Sequence, residues 1–211
     1  IEVPNEEVEL TGKSIGIDLG LKDLAIISDI DKPYKNINKS KKVKKLEKRL
    51  RKLQRSVSRK YLKNNKGGSC CKTSNIIKIE KEIIKVHRQL DNIRTDYRHK
   101  TTTEIVKTKP SRIVMESLNV VGMMKNKHLS KAIQKQGFYE FKTMIEYKSK
   151  KYGINFVEAD KWYPSSKTCS CCGHIKPKLS LSERTYKCEI CGAKIDRDKN
   201  ASINLSRYKV S

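Results

Sequence analysis

The sequence predicts a mixed α/β sheet flanked by helices, interrupted by a basic helical hairpin and carrying a small metal-held ribbon near its carboxyl end. Three observations support this. Short β-rich runs at 13–18, 24–28, 112–115 and 154–158 alternate with helical periods at 129–152 and after 198. Two long apolar seams with three- and four-residue steps fill the stretch from about 39 to 107. Two C-x2-C pairs sit between the last strand and the last helix. The expected division is a core at 1–160 with the hairpin inserted in it, a ribbon at 161–195 and a closing segment at 196–211.

The chain starts at Ile1 without a methionine, ahead of a strand-like segment at Glu7–Leu10, so it is expected to be a piece of something longer. Lys13–Asp18 alternates apolar Ile15 and Ile17 and ends at a carboxylate, and Leu24–Ser28 returns as a second strand to form a hairpin. Gly16 and Gly20 on either side of Asp18 would keep the backbone open to a phosphate or a metal. The plainer reading of Asp18 is a surface aspartate at a strand end.

From Ser40 the pattern becomes helical. Val43, Leu46, Leu50, Leu53 and Val57 form one seam, and Ile76, Ile79, Ile83, Val86, Leu90, Ile93 and Tyr97 form another beyond the break at 64–69. Fourteen Lys and Arg stand against one Glu from Lys39 to Lys66, too few acids for pairing along the helix. Arg49, Arg51, Lys52, Arg55, Arg59 and Lys60 are therefore candidate phosphate contacts. A solvated charged face is the ordinary alternative. His87 and His99 read as surface or seam residues.

Arg112–Met115 is a short buried strand that ends at Glu116, where α/β sheets place their sites. A loop is expected over Ser117–Lys127. One helix should follow from Leu129 to Tyr152, with Ile133, Phe141, Met144, Ile145 and Tyr147 toward the core and Gly153 closing it. Ile154–Glu158 is the last strand. Trp162 and Tyr163 could stack on bases, but packing of the ribbon against the core is the commoner use.

Cys169, Cys172, Cys188 and Cys191 have the spacing of a structural tetrahedral zinc site holding one ion. A register using Cys171 stays open. Cys70, Cys71 and Cys171 are left over, an odd count that suits a reducing cytosol and not a disulfide framework. The chain has no signal-like segment and no run of 18 apolar residues, so export and membrane spanning are excluded as expectations and a cytoplasmic place is expected. The 48 Lys and Arg exceed the 23 Asp and Glu by 25 charges, which points to a polyanionic partner, nucleic acid above all.

Asp18, Glu116 and Asp198 all fall at element ends. Jointly they suit two hard Mg2+ or Mn2+ ions with oxygen ligands, the arrangement for hydrolysing a phosphodiester of DNA. The rival expectation is a nucleic-acid-binding accessory module in transposition whose acidic centre does no chemistry.

GIDLG at 16–20, MESLNVVGMM at 115–124, YPSSKTCSCCG at 163–173, YKCEICG at 186–192 and DRDKNASINL at 196–205 resemble the RuvC-like and zinc-ribbon half of the TnpB/OrfB transposon proteins. They are also similar to the compact type V CRISPR effectors. The resemblance implies an RNase H-like (RuvC-like) fold, Asp18, Glu116 and Asp198 as the metal-binding catalytic triad, zinc on the four cysteines, and DNA cutting guided by RNA in a prokaryotic cell, at the nucleoid. It places Asp198, not Asp196, at the catalytic position. Arg197 and Asn200 match the same motif and would touch substrate phosphate or order the loop. The family's amino-terminal half, which holds the guide and reads a short duplex motif, is expected to be missing from these residues.

Overall fold

The computed structural model describes residues 8–66, 69–70, 72–180 and 182–209; Ile1, Glu7 and Cys71 lie outside them. The chain divides into two compact units, 37–97 and the remainder. The larger unit is built on a five-stranded mixed sheet. Strand β1 (Thr11–Leu19) turns back antiparallel into β2 (Asp23–Ile27), and β2 into β3 (Ile30–Lys35). The sheet order is β3-β2-β1-β6-β7, with β6 (Pro110–Glu116) and β7 (Asn155–Ala159) joining in parallel.

Burial explains the order. Ile113, Val114 and Met115 are almost wholly buried in succession, as expected of a parallel strand covered on both faces. Edge strand β3 carries Pro33 and exposed charges, a composition that hides it from the periodicity of the sequence.

The smaller unit holds a 3-10 turn (Ile37–Lys39), α1 (Lys41–Lys63), a two-residue strand pair β4 (Asn65–Lys66) and β5 (Ser69–Cys70), and most of α2 (Ser74–Lys107). Ser40 caps α1 by accepting from the Val43 amide at 3.3 Å. The two helices close on Val43, Val86 and Leu90, with Leu46, Leu50, Leu53 and Ile93 packed around them. Arg94 reinforces this unit, reaching Asn38 at 2.8 Å and Glu47 at 3.0 Å. Helix α2 continues to Lys107, well beyond the end of its predicted seam at Tyr97. Thr101 to Thr103 disguise the extension, because β-branched residues are weak helix formers. Thr102 satisfies its hydroxyl within the helix by donating to the Arg98 carbonyl at 2.8 Å.

The expected loop at Ser117–Lys127 contains a short helix, α3 (Val120–Met124), capped by Asn119, whose side chain accepts from Gly122 at 2.9 Å. The expected single helix 129–152 is two, α4 (Ser130–Gln136) and α5 (Phe138–Lys151). They meet at Gly137, whose φ of 67° is left-handed and whose missing Cβ would stand 2.8 Å from Arg98 Nη1. Ile133, Phe141 and Ile145 are core residues as expected, but Tyr147 is half exposed. A second antiparallel pair, β8 (Thr185–Lys187) and β9 (Lys194–Asp196), leads into the last helix, α6 (Arg197–Ser206).

Helix α6 lies directly on β1. A Cβ at Gly16 would collide with the Ser202 carbonyl and the Ser206 amide, and would stand 2.7 Å from Leu205 Cβ. The reading of Gly16 as space for a phosphate or metal is corrected: it is space for a helix. Leu205, wholly buried, packs on Val114 and Ala159 of the next two strands. Gly16→Ala is expected to destabilise the protein by about 3 kcal/mol or more, since backbone on both sides must shift. Gly12→Ala, with nothing within 4 Å, should change stability by less than about 0.5 kcal/mol. Chemical denaturation of both variants checks the contrast.

Candidate active site and metal centre

Strand register brings two of the three predicted carboxylates together. Ile17 lies opposite Met115 across the parallel β1–β6 pair, so Asp18 and Glu116 are neighbours one residue further along. Side chains alternate across a strand, so Asp18 shares the face of Gly16, and Glu116 that of Val114. That face is the one covered by α6. From Gly16 to Asp18 the strand advances ~6.6 Å, and from Ser202 back to Asp198 the helix retreats ~6 Å, so the third carboxylate arrives at the same end.

The electrostatics agree with this convergence. Burial pushes the Asp18 carboxyl well above the usual carboxylate range, and the charges of Glu116 and then Asp198 push it further, against the Arg197 guanidinium. Burial raises Glu116 as well.

The two aspartates of the closing motif do different work. Asp196 caps α6, accepting from the amides of Asp198 at 3.1 Å and Lys199 at 3.2 Å. The Asp198 carboxylate is left to side chains, with Arg197 Nε at 3.2 Å and Arg184 at 3.9 Å. Arg197 is thus part of the acidic centre. Asn200 is fully buried and holds the loop around Cys169. Its Oδ1 accepts from the Ser170 amide at 2.9 Å, and its Nδ2 donates to the Thr168 carbonyl at 2.6 Å.

Two residues on the same helix carry roles that their sequence context does not announce. Lys199 Nζ donates to the carbonyls of Ile27, Ser28 and Ile30 at 2.9–3.1 Å, holding the turn between β2 and β3. Asn204 donates to Ser165 and Thr168. Polar residues at Asn200, Asn204 and Arg207, one helical stripe beside an apolar one, are the available signal.

The four cysteines do come together. The Sγ atoms of Cys169, Cys172, Cys188 and Cys191 lie within 4.8 Å of one another and could hold a metal ion. Cys169 and Cys191 are 3.7 Å apart and Cys172 and Cys188 3.5 Å, against ~3.8 Å for sulfurs at the corners of a tetrahedron with ~2.3 Å zinc bonds. Cys171 is exposed and outside the cluster.

The knuckles repeat one another. Gly173 returns to the Cys169 carbonyl and Gly192 to that of Cys188, both glycines with φ near 70–78°. Backbone amides of Cys191 and Ile190 hold the Cys188 thiol down to about 6, while desolvation and the neighbouring sulfurs push Cys191 up to about 12. Tyr186, wholly buried beneath the cluster, donates to the carbonyls of Lys167 and His174 at 3.1 and 3.3 Å.

The expectation for the aromatic pair splits. Tyr163 packs, edge to face on Tyr208 at 4.9 Å, and donates to the Asn204 carbonyl. Trp162 does not pack: it is 81 % exposed, with the Lys161 ammonium over its ring.

In the smaller unit, Arg49, Arg51, Lys52, Arg55 and Arg59 are exposed along α1 and Lys60 is half-buried. Arg49 is paired with Glu82 at 2.9 Å. Among the described residues no helix is long and apolar enough to cross a membrane.

A mixed α/β sheet with acidic residues at one strand end, and a four-cysteine cluster inserted before its last helix, defines the class of this protein. Residues 1–127 match the OrfB_IS605 family, described as a probable transposase, and residues 138–205 match the Cas12f1-like TNB domain. The chain belongs to the OrfB_IS605 family.

It is 36 % identical over 92 % of its length to a Streptomyces pristinaespiralis protein named "Putative RNA-guided DNA endonuclease", and covers 45 % of that protein. It is 29 % identical over 94 % of its length to InsQ of Escherichia coli K12, which carries the same description, and covers 49 % of it. The chain therefore spans about half the length of these relatives. Its fold is that of a chain in the cryo-EM structure of a CRISPR-Cas12f ternary complex, with a TM-score of 0.65, 26 % identity, all of this chain covered and 41 % of that one.

Stripping metal with a strong chelator should lower the melting temperature by several degrees, since closing the loop between the two knuckles depends on the ion. Cys172→Ser should weaken Co2+ uptake, followed by thiolate-to-cobalt absorption, while Cys171→Ser should leave it unchanged.

Proposed function

We propose that this chain is the nuclease part of an RNA-guided DNA endonuclease, with Asp18, Glu116 and Asp198 as its metal-binding catalytic residues. The observation that carries the reading is the register that sets Asp18 beside Glu116 on the face α6 covers, with the charge of Asp198 felt at Asp18. Carboxylates gathered so that Glu116 and Asp198 both raise the proton affinity of buried Asp18 form a poor binding surface for a polyanion and a good one for divalent cations.

Mg2+ or Mn2+ held there, two ions in the arrangement expected, would activate a water and steady the leaving oxygen of a phosphodiester. The chain's own part is to fix the carboxylates from three elements of one sheet-and-helix layer. Arg197 lies against Asp198, and with a metal held there its guanidinium could meet a phosphate oxygen. One zinc ion on the four cysteines would be structural, because four thiolates leave no open position. The fold then belongs with the RuvC-like branch of the RNase H-like folds.

DNA and a guide RNA as partners are supported by the names of the relatives and by the complexes in which the structural neighbours were determined. Exposed arginines of α1 supply the sequence-independent attraction.

End-labelled single-stranded DNA incubated with this chain and Mn2+ should be cut, and EDTA should stop it. Asp18→Ala and Glu116→Ala should each lower cutting by on the order of a thousandfold or more while leaving binding largely intact. Cutting that survives in both variants removes the assignment, and binding without cutting or metal dependence favours an accessory binding module. Arg51→Ala, Arg55→Ala and Arg59→Ala should each flatten the salt dependence of binding, the log–log slope falling by about 0.7–0.9 for every phosphate the variant no longer neutralises.

A further inference from the structure

Helix α6 is joined to the cysteine cluster by more than chain connectivity. The Asn200 amide bridges the two peptide groups that flank Cys169, accepting from Ser170 on one side and donating to Thr168 on the other. Asn204, one turn on, donates to the same Thr168 carbonyl at 2.6 Å and to Ser165 at 2.8 Å. Arg207 reaches the Ser170 carbonyl. Asn200, Asn204, Ser165 and Ser170 are all buried, so these bonds are shielded from water and costly to leave unmade. At the helix start, the Arg197 amide donates to the Arg184 carbonyl at 2.8 Å, tying α6 also to the strand pair whose first strand leads into Cys188.

We infer that Asn200 and Asn204 are positioning residues that make metal occupancy of the cysteine cluster and the order of α6 one linked equilibrium. A metal ion fixes Cys169, and fixing Cys169 fixes the peptide groups on either side of it. Those peptide groups hold the Asn200 amide, two residues from Asp198 on a ten-residue helix. A helix of that length has little stability of its own, so the clasp contributes a large share of what orders it. Linkage is reciprocal: whatever orders α6 tightens metal binding by the same factor. The functional meaning, that the ribbon's metal sets the place of the third carboxylate, rests on the nuclease reading; the linkage itself does not.

The test uses amide hydrogen exchange of the full chain, with Co2+ as the probe and no nucleic acid. In the wild-type chain, Co2+ binding should slow exchange in residues 200–206 by about tenfold or more, although none of them is a ligand, and should slow α1 of the smaller unit much less. In Asn200→Ala, cobalt should still give its thiolate absorption, but the slowing in α6 should fall below about threefold. If Asn200→Ala does not fold, Asn204→Ala is read in its place. No change in α6 of the wild-type chain overturns the inference, as does equal slowing in α1, or full slowing retained in the folded variant. A chain that shows the linkage yet cuts no DNA removes the nuclease reading and leaves the clasp standing, and the reverse result does the opposite.

Discussion

The contact between α6 and β1 at Gly16 governs the rest of this structure. A helix backbone rests there against a strand backbone, closer than any side chain permits. Such an approach sets the height of the helix over the sheet, and the height brings a carboxylate one helical turn earlier, Asp198, close enough for its charge to be felt at Asp18. The neighbouring layer follows suit, with Ala201 and Ser202 buried against the sheet and Leu205 filling the space over Val114 and Ala159. Small residues at the crossing and one large one beyond it form a wedge that fixes tilt as well as distance.

Charge is distributed against the grain of the composition. A chain with a net +25 gathers acids where its sheet ends, and there burial first, then the charges of Glu116 and Asp198, push the Asp18 carboxyl well above the usual carboxylate range. Much of the positive charge sits on exposed helix surface, where screening by salt makes each ion pair worth little to stability. Arg197 and Lys199 are placed differently. One is folded onto Asp198, and the other spends its ammonium on three backbone carbonyls of the edge hairpin. Around the acidic centre basic residues hold shape; along α1 they face solvent.

Much of this is legible in the chain itself. Strands β1, β2, β6 and β7 announce themselves by apolar alternation or short buried runs, the hairpin by its seams, and the cysteine cluster by spacing. These are features of single elements. What the sequence hides arises between elements. Edge strand β3 goes unsignalled because exposed charges interrupt its apolar residues and Pro33 breaks the pattern. The break at Gly137 is masked by continuous helical periodicity on both sides of a single left-handed residue. Asn204 and Lys199 look like ordinary polar helix residues until the ribbon and the edge hairpin are placed around them. Gly16 stands out in the sequence, but for the wrong neighbour: a sequence shows that a residue has no side chain, not what occupies the room.

Trp162, the chain's one tryptophan, stands in water with a lysine over its ring while its neighbour Tyr163 is packed. The optical consequence is that intrinsic tryptophan emission from this protein is already red-shifted in the native state. Loss of the sheet will barely move it, and a quencher that reaches the ring will be seen against a quiet background. The fluorophore is blind to the interior and sensitive to whatever approaches the mouth of the ribbon.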